Sequence, residues 1–462
     1  MSAADKSSQF AEFRCPEEKH PISRAVHLAR LAAFYPGCRQ CSHREDTGTL
    51  SPRQVEQWQE VVSHGSPRAL FHDEGAGGVH LNELTPAAAR NIATAFGVVL
   101  QRPASTLPSP FGKGAEATVP IFAGTAAQPW SAKMGLSPSR QPNPQSPIPN
   151  PSILLASDGR ALTAELTAAV GEGLRFSGCD VIDIGPATAA CLAFAVAHLN
   201  AAGGILVGNP SREAHWVGLQ FWQSGSRPLS AGRPLEAIAA MHQAGVDRPA
   251  RQYGFLSRAA ADAPYLAAVG QHYHALRPLR IVVDSASGPL LKYLQQLTTK
   301  VACHVIPTRA TRHELPQQVR ADGAHFAVSV DGDGETCEVL DEQGRVVSAG
   351  QLLGLLVQSV LGDGQNQDVC VILEGETSPE LTAQLERAGV GTVLSGVRRA
   401  ELAAAMRQHD ALLGGGPSGR FWHCIADVPL PDALMTITRL LVVLSRSDEP
   451  LSAVLDRNAS LD

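Results

Sequence analysis

Three acidic residues spaced by glycines form the pattern best suited to chemistry. Asp331, Asp333 and Glu335 follow directly on an apolar run, His325–Val330, that has the character of a buried strand. Glycines permit a tight loop, and neighbouring carboxylates repel one another unless a cation neutralises them. Because Mg²⁺ prefers carboxylate and water oxygens, the pattern predicts that these three residues hold Mg²⁺. A solvated acidic turn is the alternative that the spacing leaves open.

A glycine-rich loop, Gly414–Arg420, follows a second apolar run and could bind an oxyanion or a sugar. It offers backbone N–H groups, a hydroxyl and a guanidinium. The residues that we expect to contact a substrate are Gly415, Ser418, Gly419 and Arg420. Such loops are also common in linkers, so this pattern alone is weak.

A third loop of similar type follows the run Gly203–Val207. Here Ser211 is a candidate catalytic residue that would accept a phosphoryl group, and Arg212 is a candidate substrate contact for a phosphate. An ordinary turn is the competing interpretation.

The first part of the chain carries a possible metal site of a different kind. Cys38 and Cys41 form a Cys-x-x-Cys pair with His43 close behind, and Cys15 lies upstream. Thiolates and imidazole suit tetrahedral Zn²⁺, and an iron–sulfur cluster uses similar ligands. The alternatives are a redox pair, or cysteines buried in a plain helical extension.

Composition limits the classes of function. The chain has 462 residues, 44% of them hydrophobic, and a net charge of −6. Without a basic run, nucleic acid is not an expected partner. No apolar stretch approaches the roughly 20 residues of a membrane span, and the first residues lack the apolar core of a signal peptide. We therefore expect a cytoplasmic protein with no membrane association, and a protein partner could bind through the N-terminal extension.

The elements that must position these residues alternate between strand and helix. Apolar runs without polar alternation suit strands that are buried on both faces. The pattern predicts three consecutive α/β/α domains with mixed, largely parallel sheets. The expected division is a helical Cys/His extension at 1–66, a first domain at 67–252 with a Pro-rich insertion at 102–151, a second at 258–320 and a third at 321–448.

Taken together, the motifs resemble those of the α-D-phosphohexomutases, the phosphoglucomutase, phosphomannomutase and phosphoglucosamine mutase family. Phe71–Val79, followed by Glu83–Pro86, resembles the opening segment of that family, and Ala156–Arg160 resembles its next motif. The loops described above resemble three further motifs of the family, in the same order along the chain. Gly203–Phe221 lies where the family has its phosphoserine loop, Asp331–Glu335 where it has its metal loop, and Gly414–Arg420 where it has its sugar loop.

The resemblance implies an intramolecular phosphotransferase. In that family a phosphoserine donates its phosphoryl group to a hexose phosphate, and Mg²⁺ lies on the phosphoserine and three aspartates. This sequence departs from the pattern at several charged positions. Pro210 stands at the nucleophile position, and Glu335 at the third aspartate. The remaining departures are Gly77, Thr336, Gly416 and Arg420.

Two functional hypotheses follow from these departures. In the first, mutase chemistry is degenerate and the protein has a binding or regulatory role. The expected absence of the family's fourth, phosphate-binding domain favours this hypothesis as well. In the alternative, the protein is an active phosphotransferase with Mg²⁺ and a shifted nucleophile, Ser211. A hexose phosphate is the ligand in both.

Overall fold

The computed structural model describes residues 13–15, 20–63, 70–102, 150–209, 215–310, 312–361 and 369–459. Most of the Pro-rich insertion, 103–149, lies outside the described residues. In the part of the chain that is covered, every helix is too short or too polar to cross a bilayer.

Two helices precede the first sheet. They are α1 (Arg24–Ala32) and α2 (Pro52–Ser63), and a short 3₁₀ helix, Pro36–Gln40, lies between them. Ser23 caps α1 by accepting a hydrogen bond from the Val26 amide, which satisfies one of the unpaired amides at a helix start. An apolar cluster that includes Leu31, Trp58 and Val79 attaches this extension to the first sheet.

The first sheet contains eight strands in the order β1-β2-β6-β5-β3-β4-β8, with β7 paired to β6. Its strands are β1 (Phe71–His72), β2 (Gly75–Val79), β3 (Ser152–Ser157), β4 (Asp180–Pro186), β5 (Gly203–Gly208), β6 (Trp216–Gln223), β7 (Arg227–Pro228) and β8 (Leu256–Arg258). The accompanying helices are α3 (Pro86–Gln101), α4 (Thr163–Phe176), α5 (Ala189–His198) and α6 (Arg233–Ala244), and α7 (Asp262–Gly270) leads to the second sheet.

The second and third sheets have five strands each. The second contains β9 (Arg280–Ser285), β10 (His304–Thr308), β11 (Phe326–Val330), β12 (Cys337–Asp341) and β13 (Val346–Val347), with helices α8 (Gly288–Thr298) and α9 (Leu315–Ala321). The third contains β14 (Cys370–Glu374), β15 (Gly391–Ser395), β16 (Leu413–Gly415), β17 (Trp422–Ile425) and β18 (Val428–Pro431), with α10 (Ala349–Leu361), α11 (Pro379–Arg387), α12 (Arg399–Gln408), α13 (Ala433–Ser445) and α14 (Leu451–Ala459).

One strand topology occurs three times. The orders β10-β9-β11-β12-β13 and β15-β14-β16-β17-β18 are identical in connectivity, and β4-β3-β5-β6 repeats their first four strands. In each case the first strand lies between two parallel neighbours, and an antiparallel strand follows. The predicted α/β class with three mixed sheets is confirmed. The three candidate loops therefore follow equivalent strands, β5, β11 and β16.

One predicted domain boundary is wrong. The sequence placed the division between the second and third domains at 320/321, but β11, β12 and β13 lie in the same sheet as β9 and β10. The second unit therefore continues to Val347. The error arose because the apolar run before Asp331 was taken as the first strand of a new unit, whereas it is the third strand of the repeat.

A large apolar core joins the three units. It contains most of α5 from the first unit, together with Ile281 and Phe326 from the second sheet, Leu373 from the third sheet and Leu440 from α13. Helix α5 is buried on nearly all sides. The three sheets thus share packing that a string of independent domains would lack.

Asp432 connects this core to the start of α13. Its carboxylate accepts hydrogen bonds from the backbone amides of Leu434 at 2.9 Å and Met435 at 3.2 Å, and from the Tyr265 hydroxyl at 2.7 Å. Burial raises the pKa of Asp432 to about 6, although these hydrogen bonds act in the opposite direction. The ionised carboxylate is therefore less favourable in the folded chain than in the unfolded one.

Replacing Asp432 with Asn should change how stability depends on pH. The folded pKa is raised, so the folded chain holds the proton more tightly, and the wild-type protein should lose stability relative to Asp432→Asn as the pH rises through about 6. Between pH 5 and pH 8 the difference in unfolding free energy should grow by roughly 1 kcal/mol. Urea unfolding of both proteins across this range measures it. Parallel pH curves would contradict the assignment.

Candidate functional site

The acidic loop between β11 and β12 is ordered by its own first residue. Both oxygens of the Asp331 carboxylate accept backbone amides, from Gly334 and Glu335 at one oxygen and from Thr336 at the other, each at 3.0 Å. Gly334 has a φ of +81°, a conformation that glycine adopts without strain. All three acidic side chains are buried, with 1 to 6% of their surface exposed.

An arginine from the third unit supplies the charge that these acids require. Arg399, the first residue of α12, is 1% exposed. Its Nη1 donates to Glu335 Oε1 at 3.3 Å, and its Nε donates to Glu74 Oε2 at 2.5 Å. A second guanidinium, that of Arg420, lies 3.3 Å from the other oxygen of Glu335. Arg399 thus links the first, second and third units through one buried cation.

The acids nevertheless hold protons more tightly than exposed carboxylates. Burial raises the pKa of Glu335 to about 7, and the Arg399 charge only partly offsets this effect. Burial, followed by the charge of Asp331, raises the pKa of Asp333 well above its usual range. Burial also raises the pKa of Asp331. Gln220 of β6 donates to Asp333 Oδ2 at 2.6 Å, which brings the first sheet to this loop.

The donor set does not fit Mg²⁺ in this arrangement. Five of the six carboxylate oxygens already accept a hydrogen bond: both of Asp331 from backbone amides, both of Asp333 from a backbone amide and Gln220, and Glu335 Oε1 from Arg399. The sixth, Glu335 Oε2, lies 3.3 Å from Arg420 Nε without a hydrogen bond. Within the described residues, no group of three or more His, Cys, Asp or Glu side chains is arranged to hold a metal ion. Magnesium at Asp331, Asp333 and Glu335 therefore stays a prediction; the positive charge that the structure places beside these acids is the Arg399 guanidinium.

The glycine-rich loop lies directly beside the acidic loop. Thr336 and Arg420 form an isolated antiparallel bridge, and the Cys337 amide donates to the Gly419 carbonyl at 3.0 Å. Two of the sequence-predicted regions are thus hydrogen-bonded to each other. Ser418 is exposed and Arg420 is half-buried.

Glu374, at the end of β14, sets the shape of this second loop. Its carboxylate accepts the Ser418 amide at 2.9 Å and the Ser418 hydroxyl. A Cβ added at Gly416 would lie 2.6 Å from Glu374 Cβ, so no side chain fits there while Glu374 keeps its place. Gly415, the last residue of β16, is buried below the loop.

The candidate nucleophile loop is covered only at its edges. Ser211 and Arg212 lie outside the described residues, as does Pro210. At the preceding strand end, Asp158 pairs with Arg160 at 2.6 Å and accepts the Arg160 amide at 3.0 Å. These two residues brace the loop after β3, next to Gly208, whose added Cβ would lie 3.4 Å from Asp158 Cβ.

The structure does not support the predicted Zn²⁺ or iron–sulfur site in the extension. Cys15 accepts a hydrogen bond from Arg30 at 3.2 Å, and Cys38 packs in the apolar cluster with Leu31 and Trp58. Cys41 accepts the amide of His43, whose ring meets the edge of Phe13. The four side chains form no metal-holding group among the described residues. Cys38 lies in the short 3₁₀ helix and packs in the apolar cluster, and Cys41 is the residue that follows the helix.

Four side chains at this site were not predicted as site residues from the sequence: Arg399, Glu74, Gln220 and Glu374. A signal for Arg399 was present, because Arg399, Leu402, Ala403 and Met406 are spaced to lie on one face of a helix, and all four are buried. Its neighbour Arg398, the N-cap residue, has the same chemistry but is only half-buried and pairs with Asp73 and Glu401. No local signal identifies Glu374, because its role depends on a loop more than 40 residues away along the chain.

Comparison with known proteins gives consistent matches. Residues 143–242 match the family model described as phosphoglucomutase/phosphomannomutase, alpha/beta/alpha domain I. A phosphomannomutase of Salmonella montevideo is 28% identical over 298 residues, 59% of this chain and 65% of the relative. This chain therefore spans slightly less than two thirds of that protein.

Two further matches extend over more of the chain. A phosphoglucomutase/phosphomannomutase of Thermococcus kodakarensis is 23% identical over 409 residues, 84% of this chain and 79% of the relative. The solved structure of a phosphoglucomutase/phosphomannomutase family protein from Burkholderia thailandensis superposes with a TM-score of 0.65 at 20% identity, and covers 84% of this chain and 79% of its own. The structural match establishes the shared fold.

Arg399→Met should destabilise the folded chain by about 3–5 kcal/mol, because it leaves Glu335 and Glu74 without their shared cation. Arg398→Gln is the matched control: it removes a neighbouring, half-buried arginine whose ion pairs with Asp73 and Glu401 are accessible to solvent, and it should change stability little. Chemical denaturation of both variants measures the difference. Combining Arg399→Met with Glu335→Gln should recover part of the loss. Equal losses of stability in Arg399→Met and Arg398→Gln would contradict the central role of Arg399.

Proposed function

We propose that the chain is a member of the α-D-phosphohexomutase superfamily, to which it is similar, that it binds a hexose phosphate where its acidic and glycine-rich loops meet, and that its mutase chemistry is degenerate. The observation that carries this proposal is a contrast between the two loops. The glycine-rich loop presents an exposed hydroxyl and a half-buried guanidinium, whereas the carboxylates of the acidic loop are neutralised from within the protein.

Binding is assigned to the glycine-rich loop. Ser418 is held by Glu374 through both its amide and its hydroxyl, so Glu374 acts as a positioning residue for a hydroxyl that can contact a sugar. Gly419, which is partly exposed and has a φ of +74°, lets the backbone approach a ligand closely. Arg420 presents a charged, forked donor that suits a phosphate. Arg212 would provide a second phosphate contact from the loop after β5.

Turnover requires more than binding. Phosphoryl transfer depends on positioned charge and on an aligned nucleophile. Pro210 has no hydroxyl at the position that the family resemblance assigns to the nucleophile, and the three acids of the metal loop face internal partners. Ground-state binding needs neither feature. A binding or regulatory role in hexose phosphate metabolism is therefore the function that these residues support best.

Arg420→Gln should weaken binding of a hexose phosphate about ten- to hundredfold, since a charge-assisted hydrogen bond contributes about 1.5–3 kcal/mol. Isothermal titration with glucose, mannose and glucosamine phosphates measures the affinities. Arg398→Gln is the control and should bind like the wild type. Thermal unfolding of Arg420→Gln confirms that the variant is folded, because Arg420 also lies beside Glu335. Unchanged affinity in Arg420→Gln would contradict the assignment.

The wild-type protein should show little or no mutase turnover in a coupled assay with the same sugar phosphates and their bisphosphate activators. Loss of one well-placed stabilising group typically costs 10²–10³ in rate, and each ~1.4 kcal/mol is a factor of ten. Phosphoserine mapping by mass spectrometry of the purified protein accompanies the assay. Turnover like that of ordinary mutases, with phosphate on Ser211 and loss of both in Ser211→Ala, would establish the alternative of an active enzyme with a shifted nucleophile.

A further inference from the structure

The acidic loop requires positive charge, and the structure offers an unusual source for it. We propose that the Arg399 guanidinium is the resident cation of this loop, in place of the Mg²⁺ that the family resemblance implies, so that Asp331, Asp333 and Glu335 do not bind a divalent cation. Metal binding by the acidic loop can be measured without a sugar ligand. Its test is therefore independent of the proposal that the chain binds a hexose phosphate.

The first support is the coordination of Arg399 itself. Its Nη1 donates to Glu335 Oε1 at 3.3 Å, its Nε to Glu74 Oε2 at 2.5 Å, and its Nη2 to the Glu74 carbonyl at 2.6 Å. The guanidinium carbon lies 5.5 Å from the centroid of the Trp222 ring, within the range of a cation–π contact. These partners hold the buried Arg399 guanidinium in one position beside the acidic loop.

The second support is the occupancy of the carboxylate oxygens. The two carboxylate oxygens of Asp331 accept hydrogen bonds from three backbone amides. Asp333 accepts the Glu335 amide at one oxygen and Gln220 at the other. Glu335 Oε1 accepts a hydrogen bond from Arg399, and Glu335 Oε2 forms only an ion-pair contact, at 3.3 Å, with Arg420 Nε. A divalent cation would have to displace several of these donors to gain the six oxygen ligands that Mg²⁺ prefers.

The third support is the way in which Arg399 is anchored. The Arg399 backbone amide donates to Glu74 Oε1 at 3.0 Å, and the Ala400 amide donates to Ser230 Oγ at 3.1 Å. The start of α12 is therefore fixed to the first unit by both backbone and side-chain bonds. Withdrawing Arg399 to admit a metal would break this junction and leave Glu74 without its cation.

The exchange of cation has a chemical consequence. Mg²⁺ can hold waters and phosphate oxygens at open coordination positions and acts as a Lewis acid. A guanidinium has a fixed planar fork of donors and no such positions. With Arg399 in place, the acidic loop connects the three units instead of presenting a metal to a phosphoryl group.

Metal binding by the full-length protein tests the inference directly. The probes are Mn²⁺, followed by its electron paramagnetic resonance signal, and Mg²⁺, followed by its effect on the melting temperature. The wild type and Arg398→Gln should show no stoichiometric Mn²⁺ and no melting shift in millimolar Mg²⁺. Arg399→Met should gain about one equivalent of Mn²⁺ and a rise of about 4 °C with Mg²⁺, because a divalent cation can then neutralise the freed acids. Asp333→Asn in the Arg399→Met background should abolish that gain.

Two results would overturn the inference. One is a wild-type protein that binds one equivalent of Mn²⁺ and loses it on Asp333→Asn. The other is a folded Arg399→Met protein that remains indifferent to both metals. If Arg399→Met does not fold in any condition, comparison of the wild type with Asp333→Asn decides, because absence of bound Mn²⁺ in both supports the resident guanidinium. Failure to bind a hexose phosphate would leave each of these outcomes unchanged.

Discussion

The structure depends on one buried ion-pair network, in which Arg399 neutralises Glu335 and Glu74. Glu335 and Arg399 are almost fully buried, and isolated charges in such a position would be very unfavourable. The two carboxylates and the guanidinium come from the second, first and third units respectively. Their burial is therefore tolerable only when all three units are assembled, which makes the integrity of the acidic loop and the arrangement of the units two aspects of the same constraint.

The repeated topology explains why the network forms at this place. The third strand of each repeat runs parallel to the first and ends at the carboxyl edge of its sheet, where α/β proteins position their functional loops. Loops after β11 and β16 then meet through the bridge between Thr336 and Arg420. Gln220, on the strand after β5, extends the junction to the first sheet. The same strand topology, repeated three times, thus brings loops that are distant in the sequence together.

Local patterns predicted the elements well and the long-range partners poorly. The apolar runs Gly203–Val207 and His325–Val330 form β5 and β11, each to within one residue, because an unbroken apolar run is a property of the segment itself. The predicted boundary at 320/321 was wrong because sheet membership depends on pairing between segments, here β11 with β9. The Cys/His site failed for a related reason: spacing brings Cys38 and Cys41 close together, but packing against Trp58 decides where Cys38 points.

The acidic loop separates two kinds of information that a sequence carries. That three adjacent carboxylates need a cation is a local statement, since it follows from their mutual repulsion and burial alone. Which cation answers that need is a long-range statement, because Arg399 lies 64 residues from Glu335 and 325 from Glu74. An acidic motif therefore indicates that a cation is needed, but it does not identify the cation in a particular chain. Where a neighbouring helix begins with an arginine on its buried face, as α12 does, the carboxylates of an acidic loop can form a buried ion-pair junction between units.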